Sequence, residues 1–429
     1  MAKPKLALIP AAQGDKFYSV LPSDGVGDFT FTRGSSATRI NAQGLIETVA
    51  DTSSRLDYDL LNGKVVNCPH YLLEPQRSNL FTNSDDFLTS WSINQVEVDN
   101  NEIISPDGTL NADFISENTT INPHFIFQSV GTTTTSNYTI SVFAKHNSRI
   151  LQIFAGGGDV SGNPYANFDL ENGVFNNNGC NDAFIENYGN GWFRCGVVVT
   201  SVVTSGFNPC FGLVNTLNSS RAVSYQGDGT SGIYIWGAML EQSSYPTSYI
   251  PTTTTTITRA AETATDSGDA ATFNDSEGVL MLEASALAND GVNRRISISN
   301  GSTSNRVVLG YTASSNQLIV LVSSNSVSGV ASLVNIDNSL QFNKIALKYK
   351  LNDFALWING IEVLTDNSLN SPIGLNDLSF EGADNLNDFY GKTRELQYFD
   401  SALTDAQLET LTSWTSLQEM ITSQLYTNY

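Results

Sequence analysis

Carboxylates and aromatic rings are the side chains of this sequence best suited to chemistry or recognition. Acid pairs such as Asp85-Asp86, and Asp384 with Asp388, are plentiful. A glycosidase needs two carboxyls facing each other across a bond, roughly 5–9 Å apart, and ordinary acidic surface loops give the same sequence pattern. Neither G-x-S-x-G nor H-E-x-x-H occurs, so the common hydrolase and zinc-protease signatures are missing. Gly156-Gly-Gly158 is not followed by the Lys-Ser/Thr of a phosphate cradle and reads as a turn. Three histidines (His70, His124, His146) and four cysteines (Cys68, Cys180, Cys195, Cys210) form no zinc-ligand spacing. Cys195 lies in an alternating strand pattern and reads as a small core residue. Cys180 and Cys210 could pair, which the sequence leaves open, and reduced buried thiols are the plainer reading. No catalytic residue is assigned, and the chain reads as a non-enzyme.

Sugar recognition fits the composition better. Aromatic faces stack on sugar C–H groups while Asn, Asp and Gln supply directional hydrogen bonds. Tyr165, beside Asn163-Pro164, and Tyr188, in Asn187-Tyr-Gly-Asn-Gly191, lie in turn-rich stretches and head the candidates. Trp192 and Tyr390 join them, whereas Trp236 and Trp357 stand in alternating strands and read as core or sheet-face residues. Asp384, Asn385 and Asp388 are candidate oxygen ligands for Ca2+, the one cofactor suggested; a solvated loop is the plainer alternative.

The elements that must position these residues are strands. Of 429 residues only 15% are charged, under the average of about 25%. Ser, Thr, Asn and Gly fill the deficit, a composition of strands and turns. The net charge of −22 gives no footprint for nucleic-acid phosphates, and no apolar run is long enough to insert in a membrane as a helix. The short apolar stretch before Pro10 is too brief for a signal-peptide core.

Residues 1–80 are dense in turn signals such as Asn62-Gly63 and poor in apolar segments, so they order best against a partner. They read either as an extension wrapped on the chain itself or as an anchor docking into an assembly. Residues 81–250 alternate as a first sandwich: Tyr138, Ile140 and Val142 share one face, as do Phe193, Cys195, Val197 and Val199. A threonine-rich linker is placed at 251–272. Residues 273–429 read as a second sandwich, with Asn359-Gly360 as a hairpin turn between Phe354–Ile358 and Ile361–Val363. One helix start follows, with Thr404 as N-cap, Gln407 as capping-box partner and Leu403/Leu408 as staple. An apolar stripe then runs through Leu408, Leu411, Leu417, Ile421 and Leu425.

Three blocks bring a family to view: Phe31-Thr-Arg-Gly-Ser-Ser-Ala-Thr-Arg39, Leu72-Leu-Glu-Pro-Gln-Arg-Ser-Asn-Leu80, and Tyr245-Pro-Thr-Ser-Tyr-Ile-Pro251 with Thr258-Arg-Ala-Ala261. Together they resemble bacteriophage tail and fibre-like virion proteins. The resemblance implies a mostly β protein: a carbohydrate-binding-module-like jelly roll, then a laminin-G/concanavalin-like sandwich closed by Tyr398-Phe-Asp-Ser-Ala-Leu-Thr-Asp-Ala-Gln-Leu408. It further implies a virion component attached to other virion proteins through residues 1–80, homotrimeric, and displaying lectin-like domains to host-surface glycans. A capsid-side decoration or head fibre, and a polysaccharide depolymerase, are the competing readings.

Overall fold

The computed structural model describes residues 3–10 and 16–414. Its first sandwich stacks two six-stranded antiparallel sheets. One runs Ser92–Asn94, His124–Phe127, Pro209–Val214, Ile150–Ala155, Tyr165–Asp169 and Val174–Asn178; the other runs Val96–Ile104, Leu110–Glu117, Gly232–Glu241, Asn137–His146, Trp192–Thr200 and Asp182–Gly189. The alternating faces read from the sequence point inward. Tyr138, Ile140, Val142, Cys195, Val197 and Val199 share one buried core with Phe81, Phe87 and Trp91. All four cysteines are free thiols.

The second sandwich pairs a five-stranded sheet, Val327–Asn335, Gln317–Ser324, Arg306–Tyr311, Arg294–Ser299 and Asp377–Ser379, with a larger nine-stranded one. The Asn359-Gly360 turn forms as expected, with φ of 50° and 85° joining Phe354–Ile358 to Ile361–Asp366. The helix Asp405–Thr412 lies against the outer face of the larger sheet. Leu403, Leu408 and Leu411 pack on Val279, Met281 and Trp357 there, and Gln407 Oε1 accepts the Thr404 N–H at 2.9 Å. Leu417, Ile421 and Leu425 lie outside the described residues.

The described residues of 1–80 pack against the rest of the chain. Leu6–Leu8 pairs with Gly391–Phe399, placing the start of the chain inside the larger sheet beside its last strand. Lys64–Leu73 pairs with that same strand further along, through Tyr71, Leu72 and Leu73. Leu6, Leu8, Phe29, Phe31, Tyr71 and Leu73 are buried in the core of the second sandwich. The short apolar segments that looked too meagre to fold alone are the missing part of another domain's core. Pro69 stands within this strand without costing a ladder bond. It falls in the unpaired stretch between the His70↔Asp57 and Val66↔Asp59 partners.

The threonine-rich stretch is not a free linker either. Ile257–Arg259 pairs with Arg77–Asn79, and Thr263–Thr265 pairs with Phe29–Thr32. Where these ladders meet, five side chains form a buried ionic cluster. Arg33, Arg55, Arg259 and Glu262 have fully buried side chains, and Glu74 is 4% exposed. Arg33 Nη1 reaches Glu262 Oε1 at 2.6 Å, and Arg55 bridges Glu262 to Glu74, 2.8 Å from the latter. Arg259 closes on Glu74 at 2.8 Å. Ser248 donates its N–H (2.8 Å) and hydroxyl (2.6 Å) to Glu74. Nearby, buried Asn79 donates to the Ala238 and Ile250 carbonyls and accepts from the Phe81 and Leu240 N–H groups, using both ends of its amide.

Burial alone would raise the Glu74 carboxyl pKa, but Arg259 and Arg55 outweigh it and hold it well below the usual carboxylate range. A depressed folded pKa contributes stability above the unfolded value and loses it as pH falls. Stability is therefore expected to drop below about pH 4. Arg55→Met, which takes one of its two guanidinium partners from each of Glu74 and Glu262, should cost about 3 kcal/mol in urea unfolding at neutral pH. A cost under about 1 kcal/mol would show that the cluster does not hold the junction.

Candidate functional site

The three parts of the chain leave a cleft of about 850 Å3 between them, within the roughly 300–1,000 Å3 range of small-molecule sites. One wall is the strand Leu56–Leu61 of the N-terminal hairpin, contributing Tyr58, Asp59 and, at its turn, Asn62. The facing wall is Asp182–Gly189, the edge strand of the first sandwich, with Glu186, Asn187 and Tyr188. The floor holds Thr247, Ser248 and Tyr249, next to the ionic cluster, and the second sandwich adds Lys392.

Two glycines lock the walls together. The hairpin turn Asn62-Gly63 meets the turn after Tyr188 so closely that a Cβ on Gly189 would stand 2.5 Å from the Gly63 carbonyl, and a Cβ on Gly63 would collide with the Gly189 backbone. Both have positive φ, 72° and 80°. Each was legible as a turn, but their contact was not.

Charge is divided by depth. Beneath the Leu56–Leu61 wall, burial would raise the Asp59 pKa, but Lys392, His70 and Arg394 outweigh it and hold the carboxyl well below its usual range. Lys392 Nζ is 2.8 Å and Arg394 Nη2 2.9 Å from Asp59. Fully buried His70 lies 3.2 Å from Asp57 and 3.6 Å from Asp59. Those charges are spent on one another. At the rim, Glu171 and Glu186 are exposed and make no ion pair among the described residues. Asn172 is also exposed, and Asn187 is half-buried. The rim thus offers carboxylate and amide acceptors, suited to hydroxyl donors, beside Tyr58 and Tyr188. The Tyr188 ring stands edge-on to Phe143 at 4.9 Å between centroids. Burial, then the neighbouring Glu186 charge, raises its hydroxyl pKa, so it stays a neutral phenol.

Of the residues the sequence put forward, only Tyr188 lines this cleft. Trp192 is a correction. It is 2% exposed, packed with Ile46, Phe143 and Trp236, and its Nε1 donates to the Ile104 carbonyl at 3.1 Å, so no ring face is free to stack. It is covered by the first sandwich's own Phe143 and Trp236 together with Ile46 of the N-terminal segment. Tyr165 is half-buried on the outer face of the other sheet, paired with Phe154 and Asn178. Tyr390 lies in the second sandwich, its hydroxyl donating to Asp388 at 2.9 Å.

Asp384 accepts the Leu386 N–H at 3.0 Å and lies 3.8 Å from Arg295, while Asn385 is an exposed loop residue beside it. Burial raises the Asp388 carboxyl. Among the described residues no cluster of three or more His, Cys, Asp or Glu is placed to hold a metal. Tyr58, Asn62, Glu171, Asn172, Glu186 and Lys392 carried no sequence signal beyond the two turns that flank them.

No family model matches the chain, and no curated protein matches it. Solved structures do. The Ruminococcus gnavus IT-sialidase CBM40 bound to α2,3-sialyllactose is 14% identical, over 33% of this chain and 84% of that one, with a TM-score of 0.27. The K499G mutant of NanB sialidase from Streptococcus pneumoniae is 15% identical over 34% of this chain and 25% of that one, TM-score 0.28; the chain thus spans a quarter of that relative's length. Mouse laminin α1 domains LG4-5 are 11% identical over 70% of this chain and 91% of that one, TM-score 0.24. Likenesses of this strength carry no argument about a ligand.

The glycine contact is open to test. Gly63→Ala should destabilise more than Gly44→Ala, since Gly44 has a similar φ of 78° but no neighbour within 3.4 Å of an added Cβ. The difference, about 1 kcal/mol or more, should come with faster amide exchange across 56–66. Equal effects would mean the walls are not locked there.

Proposed function

We propose that this protein is a non-enzymatic structural component of a bacteriophage virion, a tail fibre or similar appendage, that adheres to host-surface glycans through the interdomain cleft. The cleft carries the reading: aromatic rings at Tyr58 and Tyr188 beside acceptor groups at Glu171, Asn172 and Glu186, while Asn187 Oδ1 already accepts the Gly189 N–H at 2.8 Å. That chemistry suits a neutral sugar. The net charge of −22 works against an anionic polysaccharide. The virion assignment is supported by the resemblance of the Phe31–Arg39, Leu72–Leu80 and Tyr245–Pro251 blocks to phage tail and fibre-like proteins. In this reading the protein is made in the host cytoplasm and exposed on the particle as a homotrimer. It attaches through the outward surface of residues 1–80, where Tyr18, Val20 and Val26 are exposed.

Glycan titration of the purified chain tests the cleft. Tyr188→Leu, which keeps an apolar contact on Phe143, should weaken binding by up to about tenfold. Glu186→Gln should weaken it several-fold, while Tyr165→Ala and Tyr390→Phe leave it unchanged. Binding that appears only with added Ca2+ and is lost in Asp384→Asn would move the site to the 384–388 loop. Release of reducing ends from host polysaccharide would replace adhesion by depolymerisation. Imaging of labelled protein on particles tests the location. Label on the head, with adsorption unaffected by added protein, would overturn the tail assignment in favour of a capsid decoration.

A further inference from the structure

Beyond the Asn187–Gly191 turn lies a second pocket of about 480 Å3, and Tyr188 lines both it and the cleft. Its far rim is the end of the hairpin Val96–Ile104 and Leu110–Glu117. There Ile104 and Leu110 are cross-strand partners, 61% and 62% exposed. Leu45 from the N-terminal segment forms a third apolar edge. It is seated so closely on the hairpin turn that a Cβ on Gly108 would stand 3.0 Å from it. Trp192 closes the base, its indole N–H already bonded to Ile104.

Polar groups stand on the near side. Lys145 is half-buried, its stem lying over the turn within 3.2 Å of where a Gly191 Cβ would be. It makes no ion pair among the described residues. Its ammonium is a donor without a carboxylate partner, in a chain with twice as many acids as bases, 43 against 21. Gly189 and Asn190 line the same side.

The two pockets differ in chemistry. The cleft rim presents acceptors for hydroxyls. The second pocket presents a three-sided apolar edge facing one cationic donor, with the exposed Glu102 carboxylate also in its lining. A hydroxyl-only sugar would leave Ile104, Leu110 and Leu45 against water. An acetamido group matches both sides, because its methyl covers the apolar edge and its carbonyl accepts from the Lys145 ammonium. We propose that the glycan is an oligosaccharide long enough to pass over Tyr188, and that the unit entering the second pocket is an N-acetylated hexosamine. This rests on the cleft being the glycan site and adds the identity of the neighbouring unit.

The test compares two probes of equal length and linkage, chitotetraose and cellotetraose, by calorimetry on the full chain. The wild type should prefer chitotetraose by about tenfold, with amide shifts reaching both Glu186 and Ile104. Ile104→Ser and Leu110→Ser, at exposed positions that tolerate polar residues, should remove the preference. So should Lys145→Met, which keeps the stem and removes the donor. Equal affinity for the two probes in the wild type, or a preference that survives all three variants, overturns the second pocket and leaves the cleft standing. Absence of binding by either probe counts against the cleft itself and takes the inference with it.

Discussion

The buried charges of Arg33, Arg55, Glu74, Arg259 and Glu262 are the constraint on which the rest of the molecule depends. Taking ionised groups out of water is costly, and the cost is offset only where every partner is in place. The five residues come from four separate stretches of chain: the loop after the strand Phe29–Thr32, the start of Leu56–Leu61, the end of Lys64–Leu73, and the stretch 259–262. Each of these stretches supplies at least one ion-pair partner to another. The cluster therefore ties the N-terminal region to the 259–262 stretch between the sandwiches and, through Ser248 on Glu74, to the end of the first sandwich.

The cleft follows from that arrangement. Its floor residue Ser248 is fastened by Glu74, and the hairpin that forms one wall starts beside Arg55. The opposite wall is brought up until Gly63 and Gly189 touch. A second layer of charge, Asp59 with Lys392 and Arg394, ties the hairpin to the last strand of the second sandwich. Cations near the cleft are thus engaged in holding walls, which leaves the rim to carboxylates and amides.

The blocks Phe31–Arg39, Leu72–Leu80 and Tyr245–Pro251 gain a physical meaning here. Arg33 stands in the first block, Glu74 and Asn79 in the second, Ser248 in the third, and Arg259 just after it. They converge on one junction and bond to one another or to backbone. Their role in this chain is to close a fold, and the groups free to meet a ligand lie outside them. The motif blocks looked like the part that attaches the protein to something else. Their buried side chains hold the chain's own parts together, and only the outward surface of residues 1–80 is left for attachment.

Much of the local structure was legible in the sequence. Period-two alternation marked the strands at Tyr138–Val142 and Phe193–Val199, Asn359-Gly360 marked its hairpin, and Thr404 with Gln407 marked the helix start. These signals are short-range: a side-chain period, a left-handed turn and a cap are settled within a few residues. What the sequence could not show is which distant stretches complete one another. Residues 1–80 have too little apolar surface to fold alone, and only the tertiary structure shows Leu6, Phe29 and Tyr71 filling the second sandwich. Trp192 is a candidate sugar-stacking ring by residue type, and only the tertiary structure shows it buried among Ile46, Phe143 and Trp236. The acids and rings suited to sugar were determined by the sequence as residue types. Tertiary structure alone decided that Tyr58 and Glu186, over a hundred positions apart, face one cleft, because only packing and buried charge act between residues so far separated along the chain.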